Sequence, residues 1–222
     1  MKNIVTALSA LAMVGIGHAA QVNLLVNPSF EEDVIPGGAN RQEPIGWTTI
    51  TTDPLLIAGD LGTVWPDGAS DGNQYADIGN ASTGVVRGIS QTFDVPDGGV
   101  ITAIGMDVNL PQLGIFQTSS SFRIELYDVN DVLLNPASNS FTIEIRPPNQ
   151  EWRPYGITLP GVLGAGTYTL ALVATGTPEV DVLVDNVRVL ADVPDLPADP
   201  IPVPAAAVLF GPALFLLRRR RG

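Results

Sequence analysis

Carboxylates and aromatic rings are the chemical equipment of this chain. It has no cysteine, and its only histidine, His18, lies in a leader segment described below. A Ser-His-Asp triad, a Cys-His nucleophile and a zinc hydrolase are therefore excluded from the exported part. Two acids flanking a bond would suffice for glycoside hydrolysis, yet no segment marks such a pair among the 23 acidic residues. Sugar binding instead needs aromatic faces for the C–H surface of a pyranose and planar polar groups for its hydroxyls. Trp47, Trp65, Trp152, Tyr75, Tyr127, Tyr155 and Tyr168 have the right type. Trp65 stands out, because Val64-Trp65-Pro66-Asp67-Gly68 reads as a loop and core packing explains a loop tryptophan poorly. Tyr75, Arg87 and Gln91 fall on adjacent predicted strands, which would let them line the same groove. Trp152, in Glu151-Trp152-Arg153, reads equally as a strand-edge cover or a platform.

The elements that must position these side chains are strands. Val100 to Leu110, Ser121 to Val129, Ser140 to Ile145, Gly156 to Leu159, Thr167 to Ala174 and Val180 to Leu190 are rich in Val, Ile, Thr and aromatics. Phe122, Ile124 and Leu126 alternate with Arg123, Glu125 and Tyr127, a period of two with one buried face and one wet face. Turn signals separate the runs at Asp97-Gly98-Gly99, Asn130-Asp131, Pro147-Pro148-Asn149 and Gly164-Ala165-Gly166. Asp128-Val129-Asn130-Asp131 lacks the spacing and glycine of an EF-hand loop and reads as a hairpin turn. No long amphipathic helix and no internal repeat is visible, and roughly eight to ten strands predict a two-sheet sandwich.

The termini carry addresses. Lys2 precedes an apolar run from Ile4 to Gly17, and Gly17 and Ala19 are small, so residues 1–19 read as a secretory signal peptide, cleaved by signal peptidase near Ala19. At the other end an apolar stretch from Val203 to Leu217 is shorter than the roughly 20 residues that cross a bilayer comfortably. Arg218, Arg219, Arg220 and Arg221 then hold the end on the cytoplasmic side. Residues 20–190 make one domain large enough to bury a core without disulfides, and residues 191–200, with Asp192, Pro194, Asp195, Pro197 and Asp199, read as an extended, self-repelling linker. Between Gln21 and Pro200 six arginines face all 23 acidic residues, with no lysine, a net charge of −17. Such a charge excludes nucleic acid as a partner and makes divalent cations plausible ones.

Two resemblances follow from particular phrases. Ile201-Pro202-Val203-Pro204-Ala205, the apolar run and Arg218 to Arg221 resemble a PEP-CTERM sorting signal in its Val-Pro-Leu-Pro-Ala variant. That implies processing of residues 201–222 by an exosortase in a Gram-negative bacterium, transient anchoring in the inner membrane and delivery to the cell surface or extracellular matrix. Asn23-Leu24-Leu25-Val26-Asn27-Pro28-Ser29-Phe30-Glu31, Gly46-Trp47, Asp71 to Ile78, Gly88 to Phe93 and Val184-Asp185-Asn186-Val187-Arg188-Val189 resemble galactose-binding-like jelly rolls, many of them carbohydrate-binding modules. The resemblance implies an all-β, antiparallel jelly-roll sandwich whose first and last strands lie side by side, with Trp47 in the core. It also implies a structural calcium ion (Ca2+) held by Glu31 and Asp185, with Asp77 as a third ligand and backbone carbonyls and water completing the shell. The plainer alternative has Glu31 capping a turn and Asp185 paired with an arginine such as Arg188.

Together these features predict an exported, surface-sorted, non-enzymatic protein that associates with extracellular polysaccharide. A structural matrix protein without glycan specificity is the alternative, and a carboxylate-dependent glycosidase a third.

Overall fold

The computed structural model describes residues 20–35, 38–58, 68–79, 86–110, 119–136, 139–144, 151–159, 161–175 and 181–194. These residues form twelve strands and no helix. In chain order the strands are β1 (Ala20–Asn23), β2 (Ala39–Arg41), β3 (Thr48–Ile50), β4 (Leu55–Ala58), β5 (Gln74–Asp77) and β6 (Arg87–Val95), then β7 (Val100–Asn109), β8 (Ser119–Asp128), β9 (Ser140–Glu144), β10 (Arg153–Ile157), β11 (Gly166–Thr175) and β12 (Leu183–Val193). Gln21–Val193 is one compact unit. The domain thus runs past the predicted end at residue 190, because β12 continues through the fully buried Ala191 into the segment whose composition marks a linker.

Two antiparallel sheets face each other. One has the order β10-β7-β12-β5-β4-β2, with β1 also on β12; the other has the order β3-β6-β11-β8-β9. The first and last strands do lie side by side, joined by the bond from Leu24 N–H to Val189 O at 2.9 Å. This is the expected all-β, two-sheet antiparallel jelly-roll sandwich, with more and shorter strands than the hydrophobic runs announce. The three-residue strands β2 and β3 carry too few residues to show a period.

The core is built by period two. Ile89, Phe93 and Val95 of β6, Ile104, Met106 and Val108 of β7, Phe122, Ile124 and Leu126 of β8, and Leu170 and Leu172 of β11 turn into one apolar cluster. Trp47 joins it at 3% exposure, its Nε1–H donating to Asn27 O at 3.1 Å and its ring 5.9 Å from Phe30.

Strand β12 needs an irregularity to obey the same rule. Asp185 pairs with Asp107 and Arg188 with Gly105, so Asn186 and Val187 together oppose Met106 in a bulge. Asn186 takes φ +48°, a conformation that asparagine tolerates better than most residues. The extra residue turns Val187 into the core alongside Val184 and Val189, while Asp185 and Arg188 are left to the polar contacts of the other face.

Turns follow the residue types. Gly98 has φ +77° in the turn that carries the chain from β6 in one sheet to β7 in the other, and the Asp128 carboxylate accepts N–H bonds from Asn130 (2.8 Å) and Val132 (2.9 Å) after β8. The predicted hairpin turn at Asp128 to Asp131 is therefore present, with Asp131 at φ +59°.

Candidate functional site

The outward face of the β3-β6-β11-β8 sheet carries a groove of about 360 Å³. Its floor is the central strand β11, where Thr169, Ala171 and Val173 are short side chains. Strand register places Tyr127, Glu125 and Arg123 of β8 directly opposite those three, and Ser90 of β6 opposite Ala171 on the other side. Ile50 and Val86 close the groove beyond Ser90, and Asp131 stands at the β8 end. Low residues flanked by tall ones make a trough, and this is a direct product of antiparallel pairing.

The tall wall is braced internally by one ion pair and one hydrogen bond. Arg123 Nε lies 2.7 Å from Glu125 Oε1, and Tyr127 Oη donates to Glu125 Oε2 at 2.8 Å. Both carboxylate oxygens of Glu125 are engaged, so Arg123 and Tyr127 are held at fixed positions two residues apart on either side of it. Burial, and then the bond to Glu125, raise the Tyr127 phenol above its ordinary value, which keeps it a neutral donor. Across the floor the hydroxyls of Thr92 and Thr169 lie 2.9 Å apart. The trough therefore combines a floor of short side chains with one aromatic ring, a guanidinium, two carboxylates and several hydroxyls, groups able to hydrogen-bond a hydroxyl-rich ligand.

The residues expected to bind a glycan are not brought together. Trp65 lies outside the described residues. Tyr75 is fully buried on the other sheet, in a small apolar cluster with Ile57 and Leu183, its ring 5.4 Å from Trp152 and nearly perpendicular to it. Gln91 is 5% exposed and holds the backbone of Val26 in both directions, accepting from its N–H at 2.7 Å and donating to its O at 3.0 Å. Arg87 donates to Gly79 O at 3.4 Å at the end of the sandwich. The physical reason is twofold. Consecutive strands β5 and β6 belong to opposite sheets, and Arg87, Ile89, Gln91 and Phe93 share the parity that faces the core, so Ser90 and not Gln91 reaches the groove. That parity is readable in Arg87 to Val95, as it is in β8, whose wet-face residues Arg123, Glu125 and Tyr127 are the ones that form the wall.

Trp152 is a cover and not a platform. Its Nε1–H donates to Gly68 O at 2.9 Å, and its ring seals the Tyr75 cluster beside edge strand β10.

The expected calcium ligands also separate. Asp77 lies at the β5–β12 seam, near Asp181, a buried residue just before β12. Glu31 and Asp185 do converge on one turn, Asp71 to Gln74. Glu31 Oε1 accepts the N–H groups of Asn73 (2.7 Å) and Gln74 (2.6 Å), and Asp185 Oδ2 accepts that of Asp71 (2.8 Å). Asp185 Oδ1 takes the Asn186 N–H at 2.6 Å. Among the described residues no three acidic side chains form a group able to hold a metal ion, and the N–H donors around Glu31 and Asp185 suit carboxylates better than a cation. Glu31, Asp77 and Asp185 are therefore not gathered as one set of ligands, and Glu31 caps a turn, as in the plainer alternative. Arg188 pairs at 3.0 Å with Asp107 instead of Asp185. Burial raises the Asp185 carboxyl to about 7 in spite of its N–H partners.

No protein-family model matches the chain, and no curated protein matches its sequence. Solved structures do resemble it. An apo form cyclase from Fischerella sp. is similar with TM-score 0.59 at 18% identity, over 79% of this chain and 98% of that one. An arabinose-bound α-L-arabinofuranosidase is similar with TM-score 0.50 at 12% identity, over 81% of this chain but 27% of the enzyme. TmCBM61 in complex with β-1,4-galactotriose is similar with TM-score 0.47 at 14% identity, over 75% of this chain and 97% of that one. At these identities the likeness is one of fold alone.

Proposed function

We propose that the protein is an exported, surface-sorted and non-enzymatic one that holds extracellular polysaccharide in the groove of its β3-β6-β11-β8 sheet. The observation that carries this reading is the wall of Arg123, Glu125 and Tyr127, fixed by its own ion pair and hydrogen bond along an open trough of sugar-sized volume. Tyr127 offers a face or edge to a pyranose ring, and Arg123 and Ser90 offer donors to its hydroxyls. A net charge of −17 over residues 21–200 favours neutral or cationic polymers over acidic ones. Among the described residues Arg123 is the only basic side chain lining the groove, so it does not reverse that preference.

Calorimetric titration against a panel of soluble polysaccharides tests the reading. Tyr127→Ala is expected to weaken binding about tenfold, roughly the 1.4 kcal/mol of one good aromatic contact, with an unchanged circular dichroism spectrum and the glycan recovered at full length. Binding lost in Trp65→Ala but kept in Tyr127→Ala would move the site to the Trp65 loop. No binding across the panel would favour a matrix protein that recognises protein neighbours.

Sorting is the other half of the proposal. Gly17 and Ala19 mark the leader, and Pro202, Pro204, Ala205 and Arg218 to Arg221 mark the tail; both segments lie outside the described residues. The mature protein from its native host is expected to have lost the tail near Pro204 or Ala205. An intact mass that still includes the four arginines would refute exosortase processing.

A further inference from the structure

The groove of the β3-β6-β11-β8 sheet changes character along its length, and strand register divides it into levels. At one end Thr92, Thr169 and Tyr127 stand opposite one another across β6, β11 and β8, and all three bring a hydroxyl. The middle level is Ser90, Ala171 and Glu125. The far level is Ile50, Gly88, Val173 and Arg123, on β3, β6, β11 and β8 in turn. Val86, 42% exposed, reaches the groove beside it. Gly88 leaves a gap in this level, and a Cβ there would run into the backbone oxygen of Leu172, so the close approach of β6 to β11 keeps the gap open. Ile50 and Val173 flank the gap two strand spacings apart, about 9.5 Å between their Cα atoms, which leaves a slot wide enough for a methyl group between the two side chains. Arg123 borders the same slot; its Nε is held 2.7 Å from Glu125 Oε1, and its side chain keeps 34% exposure.

We propose that the groove selects sugars that carry an acetyl group, with the acetyl methyl in the slot over Gly88 and its carbonyl oxygen accepting from Arg123. This inference rests on the glycan reading of the groove and names the class of sugar it takes. An apolar slot bordered by a guanidinium calls for a methyl group with a hydrogen-bond acceptor one bond away, and an acetyl group is that combination. A bare methyl, as on a deoxy sugar, fills the slot and gives Arg123 no acceptor. A carboxylate suits Arg123 but puts a charge against Ile50, Val86 and Val173, beside Glu125 and Asp131 and within a domain that already carries −17. The spacing agrees as well. The Ala171 and Val173 levels are about 7 Å apart, comparable with the distance from the centre of a pyranose ring to the methyl of an acetyl group on it. The ring then lies over Ala171 beside Tyr127, where Ser90 and Thr169 meet its hydroxyls.

Backbone-amide NMR titration of the full-length chain with matched methyl glycosides tests it. Glucose, galactose and mannose are each compared with the sugar that has an acetamido group in place of the C2 hydroxyl, and with the 6-O-acetyl ester, so that the amide and ester sources of an acetyl group are separate arms. In at least one arm the acetylated sugar is expected to bind about tenfold more tightly than its hydroxyl partner, the size of one buried methyl and one hydrogen bond, with the largest shifts at Gly88, Val173 and Arg123. The double variant Ile50→Thr, Val86→Thr changes exposed or half-buried side chains and is expected to narrow the preference to less than about threefold, whereas Tyr127→Ala is expected to weaken both members of a pair alike. Equal binding of acetylated and hydroxyl partners in every arm overturns the acetyl assignment, and leaves the glycan groove standing if Tyr127→Ala still weakens both. A preference that survives the double variant intact overturns the placement over Gly88. Shifts that fall outside the groove, or no shift with any sugar, overturn both readings together.

Discussion

Glycine at position 72 and glutamate at position 31 are predicted to be energetically coupled, because one side chain occupies the space the other lacks. Gly72 has φ +74°, and a Cβ built there would lie 2.5 Å from Glu31 Cδ and Oε1. Alanine at 72 therefore meets two costs. The left-handed conformation costs about 1 kcal/mol for a residue with a Cβ. The Glu31 carboxylate must also swing away, which removes its bonds to the N–H groups of Asn73 and Gln74; these are charge-assisted but exposed, so about 1 kcal/mol each is a fair magnitude. Gly72→Ala alone should cost about 3 kcal/mol and Glu31→Ala alone about 2 kcal/mol. In the double variant the bonds are lost only once and the clash is gone, leaving about 3 kcal/mol in place of the additive 5, a coupling of about 2 kcal/mol. Urea unfolding of the four proteins measures each of these quantities. Additivity within about 0.5 kcal/mol would show that Glu31 does not hold this turn.

Trp47→Ala removes a fully packed indole and leaves Asn27 O without its donor, so a loss of about 3–5 kcal/mol in urea unfolding is expected; a loss under about 1 kcal/mol would contradict the burial of the ring. Gly88→Ala would drive a methyl group into the backbone oxygen of Leu172, forcing β6 from β11, and should lower the melting temperature by several degrees, as expected for about 2 kcal/mol in a domain of this size. Asp185 gives a pH dependence of definite sign. Its folded carboxyl titrates at about 7 against 3.8 unfolded, so the fold binds a proton that the unfolded chain releases, and stability falls as pH rises from about 4 through about 7. Each pH unit between the folded and unfolded midpoints is worth about 1.4 kcal/mol, which sets a ceiling of roughly 4 kcal/mol. Asp185→Asn should flatten that part of the urea-midpoint profile, and an unchanged slope would mean the group titrates normally.

The sequence by itself determined the class of fold and much of its local grammar. Alternation in Phe122 to Tyr127 announced both the buried and the wet face of β8, because a strand has a period of two wherever it lies. Glycine and aspartate placed the turns at Gly98 and Asp131, because left-handed backbone is a local demand. Tertiary structure decided everything that depends on which strands are neighbours. Tyr75 is only twelve residues before Arg87 in the chain, yet β5 and β6 fall in opposite sheets and the two residues serve different clusters. Asp77 and Asp185 have the chemistry to share one ion, but Asp77 lies at the β5–β12 seam, while Asp185 lies under the Asp71 turn. The bulge at Asn186 shifts the parity of β12 midway, and only the opposing strand β7 reveals where the extra residue sits. The groove wall was legible as wet residues and not as a site: a trough exists only when the short side chains of β11 come to lie between β8 and β6, and that adjacency is a property of the sheet and not of any one strand.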